Sequence, residues 1–315
     1  MLTSDSTELT KTLMAKVWPA DRLWASVEEA RADVEIFDYA GDSVDGVSTQ
    51  DVSIPGPGGP LRVRVYRPEH AEGTLPGLMY FHGGGFVVGE IEGFDWLCGS
   101  LARRAAHTVV SVEYRRAPDH PFPAALEDVL AATTYVSRHA ADFGIDAARM
   151  SVAGDSAGGN LAAVVSQLGR AHGLDLRHQV LMVPLTLPYA DTPSMRDYGS
   201  GYYLTRDVLD WFMDHYLPEG RNQAHDPRCA PLLADDLSGL PPATVITAEF
   251  DPLRDEGERY ARKLAGAGTP VVQQRMNGAF HLTAILPKAF PQATEEVIDL
   301  VSARLREAAE TPPVS

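Results

Sequence analysis

Residues 150–160 read Met-Ser-Val-Ala-Gly-Asp-Ser-Ala-Gly-Gly-Asn and set one serine, Ser156, between glycines two positions away on either side. The apolar run before it predicts a buried strand, and Leu161-Ala-Ala-Val-Val165 after it predicts a helix. A chain that passes from strand to helix in so sharp a turn is strained at Ser156. It also brings strand end and helix start so close that side chains at 154 and 158 would collide, and Gly154 and Gly158 remove them. The hydroxyl then stands above the carboxyl edge of a sheet, at a helix N-terminus that favours negative charge, a place suited to a nucleophile. A Gly-x-Ser-x-Gly pattern arises by chance in about one chain in ten of this length, so the reading needs partners for the serine.

A serine hydroxyl is a weak nucleophile at neutral pH and needs a base, for which histidine is suited. On such a scaffold the chain order is serine, acid, histidine. The histidines after Ser156 are His172, His178, His215, His225 and His281, and only His281 follows both the last apolar run and an acidic cluster. An ordinary loop histidine is the competing reading. The cluster, Thr244 to Glu256, offers Glu249, Asp251, Asp255 and Glu256. Asp251 falls just beyond a strand and precedes a proline, which fixes its geometry. Asp255 and Glu256 belong to a first helical turn, where their charge complements the dipole. Asp251 would also serve as a plain helix cap with Pro252 behind it, so Glu249 and Asp255 stay as rivals.

Acyl transfer needs donors for an oxyanion. Phe81-His-Gly-Gly-Gly-Phe86 follows an apolar run, and its glycines let backbone N–H groups approach a substrate unhindered. Gly83 and Gly84, with Ala157 after the nucleophile, are the expected hole. A flexible turn or a phosphate cradle is the alternative, but the Lys and Ser/Thr of a phosphate loop are missing.

These loops must be held by a sheet. Short apolar runs at Leu78–Phe81, Thr108–Val112, Arg149–Ala153, Val180–Val183, Thr244–Ala248 and Val271–Gln274 alternate with helical stretches, which predicts a mostly parallel, doubly wound α/β sheet with ligands at its carboxyl edge. Before them, Asp51–Ile54 and Leu61–Tyr66 flank a Pro/Gly turn and predict an edge hairpin. About 60 residues separate Val183 from Thr244, with aromatics between Tyr198 and Tyr216, as an inserted lid would. Leu9 to Ala32 shows helical spacing broken at Pro19, an addition to the core that would share in the roof.

The chain has 315 residues and a formal charge of −16, without a Lys/Arg cluster, which argues against nucleic acid and anionic membranes. Cys98 and Cys229 suggest neither a disulfide framework nor a zinc site, and residues 1–20 lack the apolar core of a signal sequence, so a cytoplasmic location is expected.

His82-Gly-Gly-Gly-Phe86, Tyr114 to Ala125, Gly154-Asp-Ser-Ala-Gly-Gly-Asn160 and Asp251-Pro-Leu-Arg-Asp-Glu256 stand in the order found in the hormone-sensitive-lipase-like family of α/β hydrolases, which the chain resembles from Leu75 to His281. The resemblance implies an α/β-hydrolase fold with an eight-stranded core and a helical cap from about 1–45 and about 186–225, all within a single domain spanning 1–315. It implies Ser156 as nucleophile, Asp251 as acid, His281 as base, and Gly83, Gly84 and Ala157 as the oxyanion hole. The implied activity is hydrolysis of short- to medium-chain acyl esters, with no cofactor and no metal. Leu282-Thr283 departs from the Gly-Phe that relatives often carry there, which bears on pocket shape. Phe86, Tyr202, Trp211 and Phe280 are expected to line the pocket. The partner is a small-molecule ester, and a homodimer is left open. An amidase or lactonase would use the same triad. Plant gibberellin receptors resemble this fold but lack the histidine, so His281 argues for an enzyme. The Tyr114–Ala125 segment, with a structural His120, is expected to pack behind the oxyanion loop.

Overall fold

The computed structural model describes residues 23–33 and 38–311. Most of the predicted N-terminal helix pair lies outside them. Eight strands form one sheet in the order β1-β2-β4-β3-β5-β6-β7-β8. They are β1 (Val47–Gly56), β2 (Gly59–Pro68), β3 (Leu75–Phe81), β4 (Thr108–Val112), β5 (Ile145–Asp155), β6 (Leu176–Met182), β7 (Ala243–Phe250) and β8 (Val271–Phe280). β1 and β2 form the expected antiparallel edge hairpin, but its strands run on through the predicted turn to pair Gly56 with Gly59. β2 joins β4 antiparallel, and all further pairings are parallel.

Strand alternation supplies two cores. Met79, Phe81, Val110 and Val152 project into one apolar cluster, while Leu78, Tyr80, Val109 and Ala153 project into the other. Strands buried on both faces need helices on both sides, and these come from the crossovers α2 (Asp95–Ala105), α3 (Ala124–Arg138), α4 (Ala157–Gly169), α7 (Arg254–Gly266) and the C-terminal α8 (Pro291–Glu310). No helix among the described residues is long and apolar enough to cross a membrane.

The long connection after β6 carries α5 (Pro193–Tyr198) and α6 (Arg206–Tyr216), capped by Thr192 and Thr205, whose side chains accept from the Met195 and Val208 amides. On α6 the apolar set Val208, Leu209, Phe212, Met213 and Tyr216 repeats at helical spacing and is buried. The short helix α1 (Val27–Ala32) packs beside it: Trp24 lies 5.3 Å from Trp211 and 5.6 Å from Phe212, ring centre to ring centre. Arg31 fastens α1 to the loops that follow β3 and β4 by donating to the carbonyls of Val87 (3.0 Å) and Ala117 (2.9 Å) and pairing with Asp119 (2.8 Å).

Candidate active site

β5 ends at Asp155, and α4 begins at Ala157, leaving Ser156 alone in the turn. Its φ of 55° and ψ of −117° are costly for a residue with a side chain. The turn is held by the Ser156 amide, which donates to the Met182 carbonyl at 2.9 Å. The flanking glycines are required by close approach. A β-carbon at Gly154 would lie 2.2 Å from the Gly158 carbonyl oxygen, and one at Gly158 only 1.9 Å from that of Phe81 on β3. Gly154 therefore makes room for the backbone of Gly158, and Gly158 for the end of the neighbouring strand, so the two are not required by a clash between their own side chains.

His281 is the first residue beyond β8, and Asp251 the first beyond β7. Residues 156, 251 and 281 converge at the carboxyl edge. His281 Nδ1 lies 2.8 Å from Asp251 Oδ2, and Nε2 lies 2.9 Å from Ser156 Oγ. With the Nδ1 proton directed at the carboxylate, Nε2 is free to accept from the serine hydroxyl. All three side chains are buried, which shields these bonds from water. The second oxygen of Asp251 accepts from the Leu253 amide at 2.9 Å, so the residue caps the following turn and orients the imidazole at once. Its rivals are engaged elsewhere: Glu249 accepts from the Gly278 amide at 2.7 Å, and Asp255 from the Ser194 amide at 2.8 Å.

The glycine loop corrects one expected donor. The Gly83 amide donates to Asp155 Oδ1 at 3.0 Å and is not available to a substrate. Asp155 is buried, also accepts from the Tyr80 hydroxyl at 2.5 Å, and is pushed by burial up to about 6. It thus fastens the glycine loop to the serine turn. The amides of Gly84, Gly85 and Ala157 make no hydrogen bond to another described residue, and both Gly84 and Gly85 line the cavity over Ser156. Gly85 is thus, beside Gly84, a second glycine of this loop that lines the cavity with its amide unpaired among the described residues. Sequence could not separate three consecutive glycines, because the distinction is the direction in which each amide points. Gly84 and Gly85 adopt positive φ values of 113° and 60°, a backbone conformation that glycine takes readily.

The Tyr114–Ala125 segment backs this loop as expected. Tyr114 stacks on His82 at 4.3 Å and donates to its carbonyl at 2.8 Å, and the Ala117 amide donates to the Phe86 carbonyl at 2.9 Å. Burial lowers the His82 pKa to about 4, so this imidazole is neutral packing. His120 is exposed and stands away from the cavity lining.

A cavity of about 320 Å³ opens over Ser156 and His281. None of the four expected lining residues lines it. Phe86, at φ 65°, turns its ring into the core against Tyr216, with centres 3.8 Å apart. Tyr202 stacks on Phe250, and Trp211 packs on Trp24 and His215. Phe280 is buried between Tyr203 and Phe290. In each case the neighbouring or opposite face supplies the wall: Tyr203, Leu204, Val208, Leu209 and Phe212 from the insertion, Leu185 after β6, Leu282 and Ile285 beyond His281, and Trp24 and Arg31 from the N-terminal segment. Helical phase was the missed signal, since Phe212 belongs to the buried stripe of α6 and Trp211 does not.

Comparison with known proteins agrees with the fold. A family model described as alpha/beta hydrolase fold matches residues 78–285. The carboxylic ester hydrolase LipN of Mycobacterium tuberculosis is 46% identical over 241 residues, which are 75% of this chain and 64% of LipN, so the chain spans less than two thirds of that relative. The ethyl acetate hydrolase of Pseudomonas putida is 40% identical over 247 residues, 77% of each chain. Among solved structures, the ester-hydrolase EH1AB1 from the metagenome of Lake Arreo, complexed with a derivative of bipyridine phosphonate, superposes with a TM-score of 0.92 at 37% identity, over 99% of this chain and 100% of its own. With its fold, the family match and its relatives in agreement, the chain belongs to the α/β-hydrolase family.

Proposed function

We propose that this protein is a serine carboxylesterase. The observation that carries the reading is the pair of hydrogen bonds running from Ser156 through His281 to Asp251. Ser156 Oγ attacks the ester carbonyl carbon while His281 Nε2 takes its proton, and Asp251 holds the tautomer and stabilises the imidazolium. The oxyanion forms within reach of the Gly84, Gly85 and Ala157 amides, each contributing roughly 3 kcal/mol in the transition state. Collapse expels the alcohol, which takes the proton from His281 and leaves an acyl group on Ser156. Water, deprotonated by the same imidazole, then releases the acid.

The substrate class follows from the walls. Leu185, Val208, Leu209 and Phe212 bound a cavity of about 320 Å³, which suits short- to medium-chain acyl groups rather than long ones. Residues from the N-terminal segment and the insertion together form its cap. A series of p-nitrophenyl esters of increasing acyl length, run beside an aryl amide, tests this. We expect kcat/KM to peak at short or medium chains, to fall for palmitate, and to be far lower for the amide. A maximum at palmitate, or amide turnover matching the best ester, would overturn the class.

A further inference from the structure

Glu256 stands in the first turns of α7 and was expected to act only on the helix dipole. It is fully buried and reaches away from its helix: Oε1 accepts from the consecutive amides of Thr186 (2.6 Å) and Leu187 (2.9 Å). These amides belong to the turn by which the chain leaves β6 for the cap. The preceding amide, Leu185, donates to the carbonyl of Ser156 at 3.1 Å. The Leu185 carbonyl accepts from Asn160 Nδ2 at 2.8 Å, and the Thr186 carbonyl from the Leu232 amide at 3.1 Å. The turn 185–187 is therefore held on one side by the nucleophile's own peptide unit and on the other by a side chain of the helix that begins just past Asp251. Leu185 also lines the cavity.

We propose that Glu256 is a positioning residue for the catalytic reaction, clamping the 185–187 turn so that the Ser156 elbow, the Asp251 helix and the Leu185 wall keep one register. This rests on the esterase reading above. A buried carboxyl costs much free energy when charged. Burial, opposed by the two amides and reinforced by the charge of Asp251, pushes Glu256 up to about 8, so it is neutral near pH 7 and acts through its carbonyl-like oxygen. The second oxygen, buried and without a hydrogen-bond partner, adds nothing to the clamp. What the position requires is an acceptor of this length rather than a charge.

Three variants separate these requirements. Glu256→Gln keeps the acceptor and the length, Glu256→Asp keeps the acceptor but falls short by one methylene, and Glu256→Leu removes it. The readouts are kcat and KM on the best p-nitrophenyl ester, the rate at which a serine-directed phosphonate labels Ser156, and the melting temperature. We expect Glu256→Gln to retain at least about a third of the wild-type kcat, while Glu256→Asp and Glu256→Leu lose about ten-fold or more in both kcat and labelling rate, as misplacement by about an ångström does. Should Glu256→Leu fail to fold, the Gln and Asp pair decides. Equal impairment of Gln and Asp, or a folded Asp variant within about two-fold of wild type, overturns the proposal. A wild-type protein that turns over no ester yet is labelled at Ser156 overturns the esterase reading and leaves the labelling rates to judge Glu256. A wild type that is not labelled overturns both.

Discussion

Replacing Ser156 by alanine should lower kcat for ester hydrolysis by about 10⁶-fold, the scale seen when the nucleophile of such a unit is removed. The effect is chemical and not structural. Alanine keeps the Cβ already tolerated at φ 55°, the amide still donates to Met182, and the only bond lost is that from Oγ to His281. Melting temperature should therefore stay close to wild type while turnover of a p-nitrophenyl ester vanishes. The cavity and the unpaired amides of Gly84, Gly85 and Ala157 remain, so substrate should still bind. A folded variant with activity within about ten-fold of wild type would remove Ser156 from the mechanism.

The second large effect is expected from Asp251→Asn, which should cost about 10⁴-fold in kcat. The asparagine fits the same space and can still accept from the Leu253 amide. The atom that now accepts from His281 Nδ1 would become an amide donor or force a different hydrogen-bond pattern, and the proton would move to Nε2, where it blocks acceptance from Ser156. Glu249→Gln and Asp255→Asn are the controls. Both carboxylates bind backbone amides away from the imidazole, so kcat should stay near wild type in each. Steady-state kinetics on the three variants distinguishes the acids, and a larger loss at Glu249 or Asp255 than at Asp251 would reassign the role.

How much of this was legible in the sequence depended on whether a residue's task is set by chain order or by direction. The serine turn was legible because its glycines answer to contacts with chain neighbours and an adjacent strand, which only the absence of a side chain can satisfy. The parallel sheet was legible because strands buried on both faces must be apolar throughout. Asp251 and His281 followed from the ends of successive strands, where loops emerge on one side. Direction was hidden. Gly83 and Gly85 are the same residue type in one run, yet the Gly83 amide is bound to Asp155 while Gly85 lines the cavity with its amide unpaired among the described residues. Phe86, Tyr202, Trp211 and Phe280 pack into the structure around the cavity, whereas Tyr203 and Phe212, their chain neighbours or partners, contribute to its wall. Glu256 shows the same limit, because its buried oxygen serves amides about 70 positions earlier in the chain, a distance recorded by no local pattern.

The central claim is that Ser156, and no other side chain of this protein, is the group that His281 activates. Treatment with a serine-directed phosphonate, followed by proteolysis and mass spectrometry, tests it directly. The account predicts one adduct, on the peptide containing Ser156, formed in step with loss of esterase activity and absent from the His281→Ala variant on the same timescale. Full inactivation with the adduct on another residue, or full activity retained with Ser156 modified, would contradict it.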